Sequence, residues 1–529
     1  MCSISSRAIQ IPATAACLLL TLLLVASPAA GQTGPPTTTG TQTAPGDNVL
    51  RLTRDEAVRL AVENNPDLAV SRYDPAISHQ RVDAAKAAFI PTLQSGIQRN
   101  KQLQPPTSVF AENSGLETGT WSANTSVIQL MPWGGGNYQV GLDTARVTTN
   151  SLISSFNPST TARLTVAFSQ PLWRDFAIDF TRAQVDIAIR NQSIADVRML
   201  EETVNTTADA ERSYWLLVAA NALVDVQQRA LDLAQELERT NRARVDVGQS
   251  PPLDLVAARA EVAQRTENLI VARTLARQAE DNLRTLIVDA KRADFWSLRL
   301  DPADRVPPIR PAPDVDAAVR RALAERTDLQ RVRKEIEITE TGIALAKSET
   351  KPDLRLEANY LGDSVGGTRL TRTGGFPGIV DGSEVTGYSN VLGQVFSLDY
   401  PAWTLGLTFS YPLGKSAAEA NLARARIEKD QAAAQLRSLE TTAVREVRQA
   451  AWRVEQNQQR TETARLSREL AEQRLEAEQK RFDVGMSTSF LVIQAQRDLA
   501  IARNNELQSF LEYQLAVVAF ETAQQVAVR

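Results

Sequence analysis

From Leu172 to Val247 the chain runs for 76 residues without a glycine or a proline. At about 1.5 Å per residue, a helix over such a run is a rod of roughly 100 Å. The usual globular helix has about 11–12 residues. A turn, Val247-Gly248-Gln249-Ser250-Pro251-Pro252, ends the run, and Leu253 to Asp301 is again free of both residues. The figure recurs near the C-terminus as Lys415 to Val484, a turn at Gly485, and Met486 to Arg529. Leu223, Val226, Ala230, Leu233 and Leu237 step by 3, 4, 3, 4, which predicts a coiled-coil seam. Two helical hairpins this long do not fit inside one compact domain. They are suited to spanning a distance.

Between Pro91 and Pro171 the texture changes to a period of two. Leu164, Val166 and Phe168 alternate with Arg163, Thr165 and Ser169; Tyr138, Val140 and Leu142 alternate with Gln139, Gly141 and Asp143. Leu93 and Ile97 suggest a further strand, Trp121 to Leu130 another, and Met131 to Gly136 a turn between strands. The clearest alternation is Trp403, Leu405, Leu407, Phe409 and Tyr411 against Thr404, Gly406, Thr408 and Ser410, with Leu354, Leu356, Ala358 and Tyr360 against Arg355, Glu357 and Asn359. One apolar face and one polar face is the pattern of a lipid-facing, water-filled barrel. A soluble sandwich with one wet face has the same pattern. Four to six strands cannot close a barrel alone, and open strand edges are not tolerated in lipid. A barrel therefore predicts several chains sharing it. Leu361 to Ala402 reads as a Gly-rich loop.

The second half repeats the first. Ala57-Val58-Arg59, Asp67-Leu68, Ala85-Lys86, Pro91 and Leu93 return 261 residues later; Pro171-Leu172 returns 241 later; Trp215, Arg244 and Asp246-Val247-Gly248 return 237 later. The offset shrinks by 20 across the first β region, which predicts one extra hairpin there, turning at Pro132–Gly136. Trp215 and Trp452 read as packing residues in helix middles.

The N-terminus carries Arg7, an apolar core from Ala13 to Ala26, and small residues Ser27 to Gly31, a secretory signal pattern. Both cysteines, Cys2 and Cys17, fall inside it. Beyond it no run approaches 18 consecutive apolar residues, so no transmembrane helix is expected. Net charge is −4, and 23% of residues are charged. A nucleic-acid partner would favour a basic face instead.

Catalytic motifs are missing from the sequence. There is no phosphate-cradling Gly loop between strand and helix, no HExxH and no GxSxG. His79 is the one histidine and has no cysteine beside it to complete a metal site. No catalytic, metal or cofactor residue is assigned.

Taken together, these features resemble the TolC-like outer-membrane efflux protein family. The carriers are the duplicated order of helix, strands and helical hairpin; Ser169-Gln170-Pro171-Leu172-Trp173 and Ser410-Tyr411-Pro412-Leu413-Gly414, where strand passes to helix; and the turns Arg244-Val245-Asp246-Val247-Gly248 and Arg481-Phe482-Asp483-Val484-Gly485. The resemblance implies an α+β fold in which long antiparallel coiled-coil hairpins form an α-barrel joined to a shared antiparallel transmembrane β-barrel. It implies a homotrimer in the outer membrane, in contact with its lipid and extending deep into the periplasm. There it would meet a periplasmic adaptor protein and, through it, an inner-membrane pump. The function implied is a passive conduit for efflux or type I secretion. A secreted coiled-coil scaffold or adhesin is the alternative. The family usually has four strands per chain; the extra hairpin makes six unless it folds outside the barrel.

On this reading Val247, Gly248, Val484 and Gly485 form the adaptor-docking tip, and Pro171 and Pro412 mark the barrel-to-helix junctions. The resemblance also implies a polar latch at the tip: a tyrosine and an arginine against an aspartate, with further inward aspartates. Here those places hold Phe482, Ser487, Asp254, and Leu491 with Gln494. Most of the latch is absent, which leaves closure by apolar contact or a more open tip.

The expected organisation is a signal peptide at 1–31 and a Thr/Pro-rich linker at 32–48. A first repeat at 49–301 has strands at about 92–170 and a hairpin at 172–290. A Pro-rich connector spans 302–313. A second repeat at 314–529 has strands at about 353–361 and 403–411 and a hairpin at 415–525.

Overall fold

The computed structural model describes residues 49–105, 115–304, 313–375, 378–397 and 399–525. The signal peptide, the linker and positions 305–312 of the connector lie outside the described residues.

The described residues open with β1 (Val49–Leu52), α1 (Arg54–Asn64), α2 (Pro66–Ser71) and α3 (Tyr73–Lys86). Thr53 and Glu56 cap α1 reciprocally, each side chain taking the other's backbone amide. The sequence predicts one helix over Asp67 to Phe89. Instead it breaks at Arg72, because Pro75 has no amide to bond back into the α2 turn. Four strands follow: β2 (Thr92–Gln104), β3 (Leu116–Leu130), β4 (Asn137–Thr149) and β5 (Phe156–Pro171).

Next come α4 (Phe180–Asp246), α5 (Pro252–Ile287), β6 (Arg299–Pro302), α6 (Val315–Glu325) and α7 (Thr327–Glu349). β6 pairs in parallel with β1. The second half continues with β7 (Asp353–Thr373), β8 (Ile379–Thr386), α8 (Tyr388–Ser397), β9 (Pro401–Ser410), α9 (Ala417–Asp483) and α10 (Ser489–Ala523). α4 and α9 are 67 residues each, roughly 100 Å of helix. α4 starts eight residues after Leu172, because Asp179 takes the Arg182 amide at 2.9 Å and fixes the N-cap there.

The strands form one antiparallel sheet in the order β2-β3-β4-β5-β7, with β9 on the helix-proximal part of the free β7 edge and β8 on its far part. The registers align side chains of one kind. Val140 faces Val166, Val166 faces Tyr360, and Tyr360 faces Trp403. On the opposite face Asp143 faces Arg163 and Arg163 faces Asp363, with Arg163 Nε 2.6 Å from the Asp363 carboxylate. That polar face bounds a groove of about 1000 Å³ lined in part by Gln98, Asn124, Asp143, Arg163 and Asp363.

Leu361 to Ala402 is not the loop that its glycines suggested. β7 continues to Thr373, β8 pairs back onto it, and α8 lies on the apolar face. Val391 and Val395 are fully buried there against Ala162, with Leu142 and Leu164 alongside. Gly366 leaves the room: a Cβ on it would come 2.5 Å from Val391 Cγ2.

In the helical part α4 pairs with α5, α9 pairs with α10, and α4 also lies against α10. Toward the turn, the buried stripe of α4 is Gln227, Leu231, Ala234, Leu237 and Asn241, which shares only Leu237 with the predicted seam. The largest core gathers where α4, α5 and α10 meet α1, β1 and β6. Trp215 sits there edge-on to Tyr214 and Phe510 and is only 4% exposed. Its repeat equivalent behaves otherwise. Trp452 is 55% exposed and meets Arg448 with the guanidinium 5.7 Å from its ring. Its reading as a packing residue fails within the single chain, because among the described residues no helix covers that side of α9. Trp215→Ala is therefore expected to cost about 3–5 kcal/mol. Denaturant unfolding of the purified variant measures it, and a loss within the roughly ±0.5 kcal/mol of surface changes would contradict this account.

Candidate functional site

The two hairpin turns share one backbone design. α4 ends at Asp246 and Gly248 takes φ +74°; α9 ends at Asp483 and Gly485 takes φ +76°. The amide of Gln249 donates to the Arg244 carbonyl at 2.7 Å and that of Gly248 to the Val245 carbonyl at 3.0 Å. Met486 and Gly485 repeat this onto Arg481 and Phe482, at 2.8 and 3.1 Å. These are Schellman caps, which satisfy the last carbonyls and need a left-handed residue, hence glycine. A Cβ on either glycine would meet open space, so only backbone conformation constrains these positions. Val247 and Val484 are exposed beside them.

A side chain joins the two turns. Arg244, at the end of α4, stacks its guanidinium 4.0 Å from the Phe482 ring centroid and donates from Nη1 to the Phe482 carbonyl at 3.1 Å. Its Nη2 is 3.6 Å from Asp483. Phe482 is 6% exposed, packed with Leu237, Leu475, Val492 and Ile493. One turn deeper, Asn241 is fully buried and donates to Ser489 Oγ at 2.6 Å and to the Asp254 carbonyl at 3.4 Å. Arg481, 237 residues after Arg244 and placed likewise before its turn, is exposed and pairs with Glu478 at 3.5 Å.

The strand-to-helix junctions differ. Pro171 ends β5 and is buried, and the Leu172 amide donates to the Leu354 carbonyl at 2.8 Å. Just beyond, Arg355 Nη2 reaches Asp175 at 3.1 Å and Arg182 Nη2 donates to the Asp175 carbonyl at 2.5 Å. Burial pushes the Asp175 carboxyl pKa above the usual aspartate value, although Arg174 and Arg355 pull it down. The second junction is bare. Pro412 is exposed, and Leu413 beside it is 97% exposed.

The outer membrane efflux protein family model matches residues 57–287 and 318–523, which takes in both turns and every strand except β1 and β6. The chain belongs to this family. Its place is accordingly the outer membrane, with the helices extending into the periplasm. No curated protein sequence matches it. Solved structures share the fold at low identity. The Campylobacter jejuni CmeC outer membrane channel is 14% identical with a TM-score of 0.62, covering 89% of this chain and 85% of its own. The Vibrio cholerae outer membrane protein VceC is 15% identical at 0.61, covering 89% and 96%. The open-state Neisseria gonorrhoeae MtrE channel is 16% identical at 0.59, covering 89% and 88%.

Within this efflux protein the residues at the latch places each make separate contacts at the tip. Phe482 is inside the chain's own core under Arg244, so its ring is not on the surface as a latch would need. Ser487 hydrogen-bonds Glu478 of its own hairpin. Asp254 lies in the first turn of α5, and its carboxylate has no ion-pair partner among the described residues. The sequence motif contained Arg244 and Phe482, but nothing in it revealed that the two touch across hairpins. Among the described residues no cluster of potential metal ligands occurs, and no helix is long and apolar enough to cross a membrane.

Arg244→Ala removes a charged hydrogen bond and a stacked cation, together about 2 kcal/mol of local stability. Amide exchange over 480–490 should then quicken by roughly 30-fold. Unchanged exchange at Phe482 and Asp483 would show that Arg244 does not hold the turns together.

Proposed function

We propose that this efflux protein is the passive outer-membrane channel of a tripartite efflux or type I secretion system. Three copies share one β-barrel, and their helices continue it as a tunnel through the periplasm. One observation carries the reading: a sheet with one apolar and one polar face, bare at both edges, is joined to hairpins of roughly 100 Å. The apolar face meets outer-membrane lipid and the polar face lines water. β7 and β9 pair over the 10 residues of β9, the length that a tilted strand needs to cross the membrane. Bare edges in hydrocarbon must pair with further copies. The bare Pro412 junction and Trp452 support a neighbouring chain against α9.

The two family-matched segments and the constant sequence offsets support an internal duplication, and residues 1–31 are read as the export signal. The described part of the chain supplies no site for coupling energy, so force comes from an inner-membrane pump through a periplasmic adaptor. The adaptor docks at the tip, where Val247, Leu253, Val484, Met486 and Phe490 are exposed around Gly248 and Gly485. That apolar surface also supports closure without a polar latch.

The test uses Gly485→Trp in the full-length protein. Space around Gly485 is open, so the variant should still give a heat-modifiable outer-membrane trimer, at a cost of about 1–2 kcal/mol for a side chain in the left-handed region. Efflux should be lost, and the adaptor should no longer co-purify. A wild-type protein found soluble or shed would defeat the channel reading. Normal adaptor capture by the variant would defeat the docking reading alone.

A further inference from the structure

We infer that each chain contributes six membrane-spanning strands, so that three copies close a barrel of eighteen strands with a lumen of porin width. This rests on the shared-barrel reading above and deepens it. The question is whether the β3–β4 hairpin belongs to the barrel wall or folds away from it.

The hydrogen-bond ladder is continuous. β2 pairs with β3 from Thr92↔Ile128 to Gln104↔Leu116, β3 with β4 from Leu130↔Asn137 to Thr118↔Thr149, and β4 with β5 from Asn137↔Ser169 to Val147↔Ser159. The hairpin also keeps the two-faced pattern of its neighbours. Leu93 faces Val127 and Val127 faces Val140 on the apolar side; Gln98 faces Ser122 on the polar side. A hairpin folded outside the wall would have no reason to continue both faces in register.

Its turn is also built into the helix junction. Gly134 and Gly135 take φ of +68° and +69°, and the Met131 amide closes the turn onto the Gly136 carbonyl at 2.8 Å. Gln170 Nε2 donates to the Gly134 carbonyl at 2.6 Å. A Cβ on Gly135 would overlap the Asp175 carbonyl, and one on Gly136 would lie 2.6 Å from Gln170 Oε1. The glycines thus let the turn seat against the segment where β5 passes to α4. That seat holds the hairpin at the same membrane level as β5.

Six strands then run side by side between the two bare edges, β2 on one side and β9 on the other: β2, β3, β4, β5, β7 and β9. Both edge strands are exposed along nearly their whole length. They run in opposite directions, so β9 of one copy and β2 of the next meet antiparallel. Barrel diameter grows roughly in proportion to strand number, and barrels of 16–18 strands enclose an aqueous channel. At this width the membrane segment passes bulky cargo, and selection of cargo falls to the helical tunnel.

The test is disulfide cross-linking of the full-length protein in outer membranes. Both native cysteines lie within the expected signal peptide, so the exported chain offers a clean background. One cysteine replaces Thr404, Gly406 or Thr408 on the polar face of β9. Its partner replaces Gln94 or Gln98 on β2, or, in a parallel set, Gln139 on β4. The inference expects linked trimers for at least one β9–β2 pair and none for β9–β4. β9–β4 links in an intact trimer would overturn it, since the barrel would then exclude β2 and β3, yet the channel reading would stand. An intact trimer with no link in any β9–β2 register would overturn it as well. Absence of any outer-membrane trimer, in the cysteine-free parent included, would defeat both readings.

Discussion

A backbone amide or carbonyl left unpaired in hydrocarbon costs several kcal/mol, and a strand edge exposes a row of them. Much of this chain's architecture can be understood from that cost. The sheet pairs each interior strand on both sides and leaves β2 and β9 unpaired with each other. On the proposed reading those edges pair with other copies of the chain, which places the copies beside β2 and β9. On that reading of a shared barrel, the helices that start after Asp179 and Ser416 continue its wall, and a tunnel follows from a sheet that one chain leaves open.

The helices solve the opposite problem. A helix satisfies its own backbone, so length is limited only by its ends and by what covers its sides. Both α4 and α9 end in the same glycine cap, and both start from a side-chain cap, Asp179 and Ser416. Their sides are covered unequally. Trp215 is buried in the core that α4 shares with α10 and the small β1–β6 sheet, whereas Trp452 on α9 is exposed. Equivalent residues thus face a neighbour of the same chain in one half and the outside of the chain in the other.

This inequality explains what was legible in the sequence. Local signals could be read directly: absence of glycine and proline over α4 and α9, alternation over β5 and β9, glycine at the helix stops. Each depends on backbone chemistry within a few residues. The break between α2 and α3 is legible at Pro75, which has no amide to continue the α2 ladder. Unreadable features depended on long-range partners. β8 and α8 hide among the glycines of 361–402, because Gly366 serves close packing under Val391 and not a loop. At the tip, the glycines of Gly248 and Gly485 announced the turns. The burial of Phe482 did not show, because Arg244, which covers it, lies 238 residues away.

Long-range polar contacts also fix how the two hairpins lie against each other. Coiled-coil seams slide easily when every contact is apolar, and a polar residue at a seam position sets register at some cost in stability. Here Gln227 donates to Asn504 at 3.3 Å, Gln496 to the Leu233 carbonyl at 3.2 Å, and Asn241 to Ser489. The amide oxygens of all three are buried without a partner, so the cost is visible. Glu261, almost fully buried on α5, takes both Nε and Nη2 of Arg497 on α10 at 2.9 and 2.7 Å. These contacts occur at several levels between the core and the tip, and Arg244 adds a last one at the turns themselves. A one-turn slip of α10 along α4 would shift it by about 5.4 Å, breaking all of these contacts together and leaving buried polar groups and charges unpaired. The hairpins therefore behave as a single rod, and any movement that opens the tip must bend or rotate that rod without sliding one hairpin past the other.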